Sequence, residues 1–357
     1  MTDLEGAIGR GCAFIAAAQG RDGLWHDSEF PEGEGSDWIT AYIARCLWTV
    51  LSLPDSGDVD RVYEAALQGL ARRQRRNGGW AYSAATATDA EATAWALICL
   101  LDDRQRHRFS TSRARRYLTA HLDEPSGGFL FYVPSDGGEG FGEMRSSDVP
   151  GAAQPCVTGA VVRALATSGS ADAVVARACD YLKRTQGEDG LWRSALWTGT
   201  GAPTYLALSA LDLAHSLDDE TRARARGGVR AVLREGSSYE LAAALIAAPR
   251  LDPSGDVAGA VARLVSEQDD EGSWRPSGRL RTSTPVTFPP SGQGDVAVVS
   301  APTDIAYWGR LLTTVTAVTA LVFSGVYAQI VLTPVAAVPA GHGPRSGGPV
   351  GQGRGGR

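Results

Sequence analysis

Two carboxylic acids stand two residues apart in Thr88-Asp89-Ala90-Glu91-Ala92-Thr93-Ala94-Trp95-Ala96-Leu97, at the entrance to a stretch with no other charge. Burial, helped by a second carboxyl close by, raises a carboxyl's pKa and keeps it protonated, and an acid stored in that form can hand its proton on. The same residues also fit a structural role. Thr88-x-x-Glu91 is the pattern of a capping box, and acids in a first turn favour the helix dipole. Capping and proton donation are compatible, so both stay open here. Asp37 and Asp304, at the starts of other apolar stretches, read as helix caps.

Aromatic residues recur near the starts of the apolar stretches: Trp38 and Tyr42 one turn apart, Trp95, Tyr205, and the pair Tyr307 and Trp308. Ring faces attract a desolvated cation by up to about 2 kcal/mol, so this set could line a site for an apolar or cationic guest. Packing between helices accounts for any one of them as well. His26, His107, His121 and His215 show no pairing at ligand spacing, and His342 lies near the end of the chain. No metal site is expected from them.

The elements that must hold these groups are set by a repeat. Gln19-Gly-Arg-Asp-Gly23-Leu-Trp25, Gln74-Arg-Arg-Asn-Gly78-Gly-Trp80, Gln186-Gly-Glu-Asp-Gly190-Leu-Trp192 and Gln268-Asp-Asp-Glu-Gly272-Ser-Trp274 share one pattern, with a degenerate copy at Asp123-Glu-Pro-Ser-Gly127-Gly-Phe129. Recurrence at intervals of about 50 residues means one supersecondary unit stacked many times, each unable to bury its apolar face alone. The glycine can take φ > 0 and stop a helix, and the Gln and aromatic can close over the turn. Trp25, Trp80, Trp192 and Trp274 are therefore expected to be structural. Tyr239 stands where a sixth, eroded motif aromatic would fall.

Between the motifs, charged amphipathic segments (3–19, 58–75, 108–122, 171–186, 220–235, 254–268) alternate with nearly charge-free ones (36–52, 88–101, 154–167, 202–215, 238–248, 302–325). Six of each predict an all-α protein, an α6/α6 toroid of outer helices around inner ones. It forms a single domain over residues 1–330, with a Gly, Pro and Arg-rich tail over 331–357 that has little to bury and is expected to be disordered. Two insertions, 130–153 and 275–301, precede inner helices and so share one mouth. Residues 311–340 carry no charge, long enough to span a bilayer. Its Thr and Ala content favours a last inner helix closing the ring, with an anchor at 311–332 as the alternative.

The repeats resemble the QW repeats of the squalene-hopene cyclase and prenyltransferase superfamily, over roughly residues 3–325. Within that resemblance, the segment from Asp89 is similar to the Asp-x-Asp-Asp-Thr-Ala motif of class II terpene cyclases, whose middle acid protonates an alkene or epoxide. Asp89 matches the first Asp, Glu91 falls at the proton donor, Ala92 replaces the third Asp, and Thr93 and Ala94 match. The resemblance implies a class II terpene cyclase-like enzyme acting on an isoprenoid or polyene. Glu91 and Asp89 would be catalytic, and Trp38, Tyr42, Thr93, Trp95, Tyr205, Tyr307 and Trp308 would line the substrate. It implies no cofactor, with Mg²⁺ entering only for a diphosphate substrate. Such cyclases close their site between two helical domains, so a homodimer, a second helical domain in trans or the two insertions would exclude solvent here. Peripheral membrane contact fits a lipophilic substrate. Protein prenyltransferases of the superfamily hold zinc with Asp, Cys and His, and this chain has no Cys after Cys179. A Cys-Gly-Glu-Gln thioester segment is also missing. The competing readings are a toroid that binds a lipid-like metabolite or partner protein without catalysis, and one that cyclises a non-terpenoid polyene.

Composition narrows the classes further. The formal charge is −6, and since the tail from Gly341 onward holds three arginines and no acid, the body carries −9, which argues against a nucleic-acid surface. The N-terminus lacks a basic start and an apolar run, so no signal peptide is expected. Five cysteines without metal-type spacing suit reduced thiols in a cytoplasm.

Overall fold

A glycine with positive φ ends each motif turn. The computed structural model describes residues 2–30, 33–51, 53, 58–84, 86–103, 105–133, 152–169, 172–253, 255–280, 306–307 and 309–330. In it Gly23, Gly78, Gly127, Gly190 and Gly272 have φ between 77° and 99°. A Cβ on Gly23, Gly78, Gly190 or Gly272 would run into a backbone carbonyl of another helix, of Ala65, Arg113, Arg224 and Arg10 respectively, and one on Gly127 would press on the Arg177 carbonyl at 3.2 Å. Backbone conformation and close approach both demand glycine there.

Among the described residues twelve α-helices follow in order: α1 (Thr2–Ala17), α2 (Asp37–Val50), α3 (Asp58–Arg73), α4 (Ala90–Leu100), α5 (Arg108–Thr119), α6 (Pro155–Ser168), α7 (Asp172–Arg184), α8 (Gly201–Leu213), α9 (Asp219–Glu235), α10 (Ser238–Leu251), α11 (Ala258–Ser266) and α12 (Arg310–Ile330). The even-numbered helices touch in sequence, α2 to α4 to α6 to α8 to α10 to α12, and α12 packs back on α2. Six inner helices therefore close a ring. The odd-numbered helices pack outside it. Three short antiparallel ribbons decorate it: β1 (Asp27–Phe30) with β2 (Gly33–Gly35), β3 (Trp80–Ala81) with β4 (Thr88–Asp89), and β5 (Arg279–Leu280) with β6 (Ala306–Tyr307). α12 seals the ring, and no described helix is long and apolar enough to cross a membrane. Residues 331–357, where a disordered tail was expected, lie outside the described residues.

The motif side chains staple this ring in three directions. Each Gln Nε2 donates to the motif glycine's carbonyl four residues on and to a carbonyl of the next outer helix: Val62 for Gln19, Ser110 for Gln74, Thr221 for Gln186. Gln268 reaches Ala7, so the last outer helix is tied to the first. The indole Nε1 of Trp25, Trp80, Trp192 and Trp274 donates to the carbonyl ten residues back, at 2.7–2.8 Å. The backbone N–H of each motif aromatic is taken up by a threonine hydroxyl on the following inner helix. The pairs are Trp25 with Thr40, Trp80 with Thr93, Phe129 with Thr158, Trp192 with Thr204 and Trp274 with Thr314, all at 2.9–3.1 Å. Because both partners are buried, Thr204→Val leaves the Trp192 N–H without an acceptor and should cost about 1–3 kcal/mol in a denaturant melt. A change below the error of the melt would show that the threonine ladder is incidental.

Three expectations need correction. Thr88 does not cap α4: Asp89 is the N-cap and accepts the Ala92 N–H at 2.7 Å, while the Thr88 hydroxyl accepts from Asn77. The helix starts one residue later than a Thr88 capping box requires, which puts Glu91 at the second helical position, where it cannot close the box. Asp37 is likewise no cap. It pairs with Arg73 inside the first turn of α2, behind an N-cap at Ser36 whose hydroxyl caps no backbone N–H and instead donates to Asp37 Oδ1 at 3.1 Å. Tyr239 is not a sixth motif aromatic either, because it sits on α10 and stacks on Trp197.

Candidate active site

Each inner helix follows an outer helix in the alternation, five of them through a motif turn, so all six begin at the same end of the ring. Their first turns bring Trp38 from α2, Glu91 from α4 and Tyr239 from α10 to one level. Asp89 takes over the capping of α4, and this leaves the Glu91 carboxyl free of backbone duty. Glu91 is 4 % exposed. Burial pushes its pKa up from 4.5 to about 7, while the indole N–H groups of Trp38 and Trp95 hold it below where burial alone would set it. Its Oε1 has no hydrogen-bond partner among the described residues. An acid poised near neutrality in a dry, aromatic surrounding is suited to giving up a proton.

One turn deeper, aromatic rings interlock. Tyr42 stacks on Trp38 with centroids 5.2 Å apart and meets Trp95 edge-on at 4.9 Å. Its hydroxyl is 2.9 Å from Thr316 Oγ1 on α12 and 3.5 Å from the Tyr205 hydroxyl on α8. Since α2 and α8 face each other across the ring, the lumen is crossed at this level. The site therefore occupies the mouth end rather than a channel running through the toroid. The described residues bring Glu91, Trp38, Tyr42, Trp95 and Tyr205 together here.

Other expected site residues fall elsewhere. The Thr93 hydroxyl is engaged with the backbone of Trp80. Asp89 is fully buried and serves as a cap. Tyr307 lies in β6 opposite Arg279, and Trp308 and Asp304 lie outside the described residues. Among the described residues no group of three or more His, Cys, Asp or Glu is placed to hold a metal, and all five cysteines are buried free thiols.

Reading the sequence missed three members of this neighbourhood. Trp197, in the loop ahead of α8, stacks on Tyr239 at 5.6 Å with rings 4° from parallel. Arg163 of α6 places its guanidinium 4.7 Å from the Trp95 ring centroid, and burial lowers its pKa to about 10. Glu240 accepts the Gly201 N–H at 2.6 Å and so ties α10 to the start of α8. A lone charge on an otherwise apolar inner helix was the available signal for Arg163, and Glu240 was the lone charge of the expected segment 238–248, although α10 as formed also carries Arg250.

No family model matches the chain. Against solved structures, it superposes on the type II terpene cyclase MstE from Scytonema with a TM-score of 0.74 at 24% identity, over 92% of this chain and 100% of that one. That enzyme has been seen with geranylgeranyl dihydroxybenzoate as substrate and merosterolic acid A as product. A protein from Actinoplanes gives a TM-score of 0.73 at 26% identity, over 90% of this chain and 99% of the other. In sequence, the chain is 26% identical over 254 residues to drimenyl diphosphate synthase from Streptomyces showdoensis. That match covers 65% of this chain and 45% of the synthase, so the chain spans less than half of its relative. The fold is thus a class II terpene cyclase-like toroid, as the repeats implied.

Proposed function

We propose that this chain is a class II terpene cyclase-like enzyme in which Glu91 starts a carbocation cyclisation by protonating the end of a prenyl or polyene chain. The observation that carries this reading is the Glu91 carboxyl itself: buried, spared from capping by Asp89, flanked by the indoles of Trp38 and Trp95, and raised to a pKa of about 7. Proton transfer leaves a carboxylate, which the two indole N–H groups can then stabilise. The faces of Tyr42 and Trp95 lie one turn below, where a developing cation would find negative quadrupoles and little water. Arg163 beyond Trp95 sets a positive charge on the far side, which favours keeping the cation at the mouth. The carboxyl supplies the proton, so the chemistry calls for no cofactor, and Mg²⁺ would accompany only a diphosphate head group. Five free thiols fit a reducing, cytoplasmic setting.

The test is incubation of the purified chain with squalene, farnesyl diphosphate and geranylgeranyl diphosphate, each also as its terminal epoxide, with products read by mass spectrometry. Cyclised isomers from any of them support the reading. Tight binding of a prenyl chain with no turnover would instead favour a binding module, the reading that Ala92 in place of a third acid favours. Activity should also titrate with Glu91. The donor is the protonated form, so turnover holds below about pH 7 and falls about tenfold per pH unit above it. A rate that stays level up to about pH 9 would remove Glu91 from the role.

A further inference from the structure

Residues 194–200, the segment that leads into α8, are held at both ends by side chains from neighbouring inner helices. Gln154, the N-cap residue of α6, accepts the Ala195 N–H at 2.8 Å and the Ser194 hydroxyl at 3.2 Å through its Oε1. At the other end Glu240 of α10 accepts the Gly201 N–H at 2.6 Å. Between the two, Trp197 stacks on Tyr239, the residue just before Glu240.

The Glu240 contact runs against local preference, and such departures collect at functional sites. Ser237-Ser238-Tyr239-Glu240 has the pattern of a capping box, in which Ser237 and Glu240 would serve their own helix. Ser237 makes no side-chain cap bond, and α10 is served from outside, by the Ser277 hydroxyl that accepts the Tyr239 N–H at 2.9 Å. The Glu240 carboxyl goes to α8 instead. That helix has no acid in its own first turn, and its N-cap residue Thr200 makes no side-chain cap bond. Glu240 supplies the negative charge that the first N–H groups and the dipole of α8 call for. Burial raises the pKa of this carboxyl, and the N–H groups of Gly201 and Thr200 pull it back down. The glycines on either side of Thr200 fit the same contact. A Cβ on Gly199 would collide with the carboxyl, and one on Gly201 would stand 2.8 Å from Oε2.

Two pieces of the candidate site depend on where α8 begins. Trp197 lies just ahead of it, and Tyr205, one turn in, brings its hydroxyl 3.5 Å from that of Tyr42. α10 stands opposite α4 in the ring, and both the Glu91 charge and the Tyr42 hydroxyl reach the Tyr239 phenol. The buried Trp197–Tyr239 pair is thus a wall across the ring from the acid.

Building on the cyclase reading, we infer that Glu240 is a positioning residue: by capping α8 from the neighbouring helix it fixes the Trp197–Tyr239 wall, and the wall keeps water from the cation. In the protected ending, a C–H bond beside the cation breaks, its electron pair becomes a C=C bond and the proton leaves to solvent, from which Glu91 regains one. The product is then an isomer of the substrate. With the wall loosened, a water oxygen forms a C–O bond to the cation and that water gives up a proton, so the product is a hydrate.

The test removes the contact from its two sides, with Glu240→Ala and Gly199→Ala, and keeps one acceptor oxygen in Glu240→Gln. The near-UV circular dichroism of Trp197, taken in each background as the difference from Trp197→Phe, should be lost in the two alanine variants and kept in Glu240→Gln. With squalene or geranylgeranyl diphosphate in isotopically labelled water, the ratio of hydrate to isomer should rise about tenfold in the alanine variants. The pH limit set by Glu91 should stay at about 7. A folding defect would scale both products alike and leave their ratio unmoved. An unchanged Trp197 signal in both alanine variants overturns the positioning role. Loss of the signal with an unchanged product ratio overturns the part the wall plays in excluding water. If the wild-type chain cyclises neither compound, the cyclase reading fails and water exclusion with it, while the spectroscopic arm still decides whether Glu240 fixes Trp197.

Discussion

Glu91→Gln should abolish turnover and, at alkaline pH, stabilise the fold. Loss of a general acid costs about 10²–10⁴-fold in ordinary proton transfers, and where the proton initiates the whole cascade the upper end is expected. The stability effect follows from linkage. Glu91 has a folded pKa of about 7 against an ordinary value of 4.5, so between those pH values the folded state binds the extra proton. Stability contributed by the buried neutral acid is complete below about pH 4.5, declines as pH rises to about 7, and is then lost at a constant level. A tenfold difference in proton affinity between the folded and unfolded chain corresponds to about 1.4 kcal/mol, and allowing for relaxation around the charge the penalty above about pH 7 is about 1–3 kcal/mol. Glutamine carries no such penalty. Thermal melts of the two proteins should coincide near pH 4.5 and separate at about pH 8 with the variant higher. A variant that melts lower at alkaline pH would mean that the carboxylate is well solvated or paired when folded.

Gly190→Ala should be the most damaging small substitution in the repeats. Gly190 has φ 80°, and a Cβ there would come within 1.9 Å of the Arg224 carbonyl oxygen on α9. The left-handed conformation alone costs an alanine about 1–2 kcal/mol. Forcing two helices apart adds about 1–3 kcal/mol more, for a total of about 2–5 kcal/mol. Gly227, in the middle of α9, is the control, since a Cβ there meets nothing within 4 Å. Gly227→Ala should stabilise by about 0.5–1 kcal/mol through helix propensity. Urea unfolding of both variants checks the pair. Equal effects would show that the motif turn can relax away from α9.

The difference between these two glycines marks what could be read before the structure. The motif glycines recur with Gln and Trp at constant spacing, so the repeat, the ring and the alternation of outer and inner helices were legible, and each of the twelve expected segments overlaps a helix, although the last, expected from 302, begins at Arg310 after the strand Ala306–Tyr307. The threonine ladder was not. Thr40 follows its motif aromatic by 15 residues, Thr93 by 13, Thr158 by 29, Thr204 by 12 and Thr314 by 40, because the segments between motif and inner helix differ in length. That variation hides the pairing from any search for a period. The same variable segment hid Trp197, which belongs to no helix.

At the site, the acid was visible and its neighbourhood only in part. Residue spacing placed Trp38 and Tyr42 on one face of α2, but which of two adjacent residues caps α4 depends on where the helix begins, and a shift of one residue moved that duty from Thr88 to Asp89. The shift matters chemically, since it separates Glu91 from the cap. The Tyr42–Tyr205 contact and the reach of the Glu91 charge to Tyr239 span the ring between helices far apart in sequence, and periodicity within one helix carries no information on them.

The most direct test of the central claim is an infrared titration of the buried carboxyl, taken as the difference between the wild-type chain and Glu91→Gln. A protonated carboxyl band assigned to Glu91 should persist through about pH 6 and disappear with a midpoint of about 7. A midpoint at the ordinary value near 4.5 would mean that Glu91 is a solvated carboxylate at working pH, and the proton donor would have to be sought elsewhere.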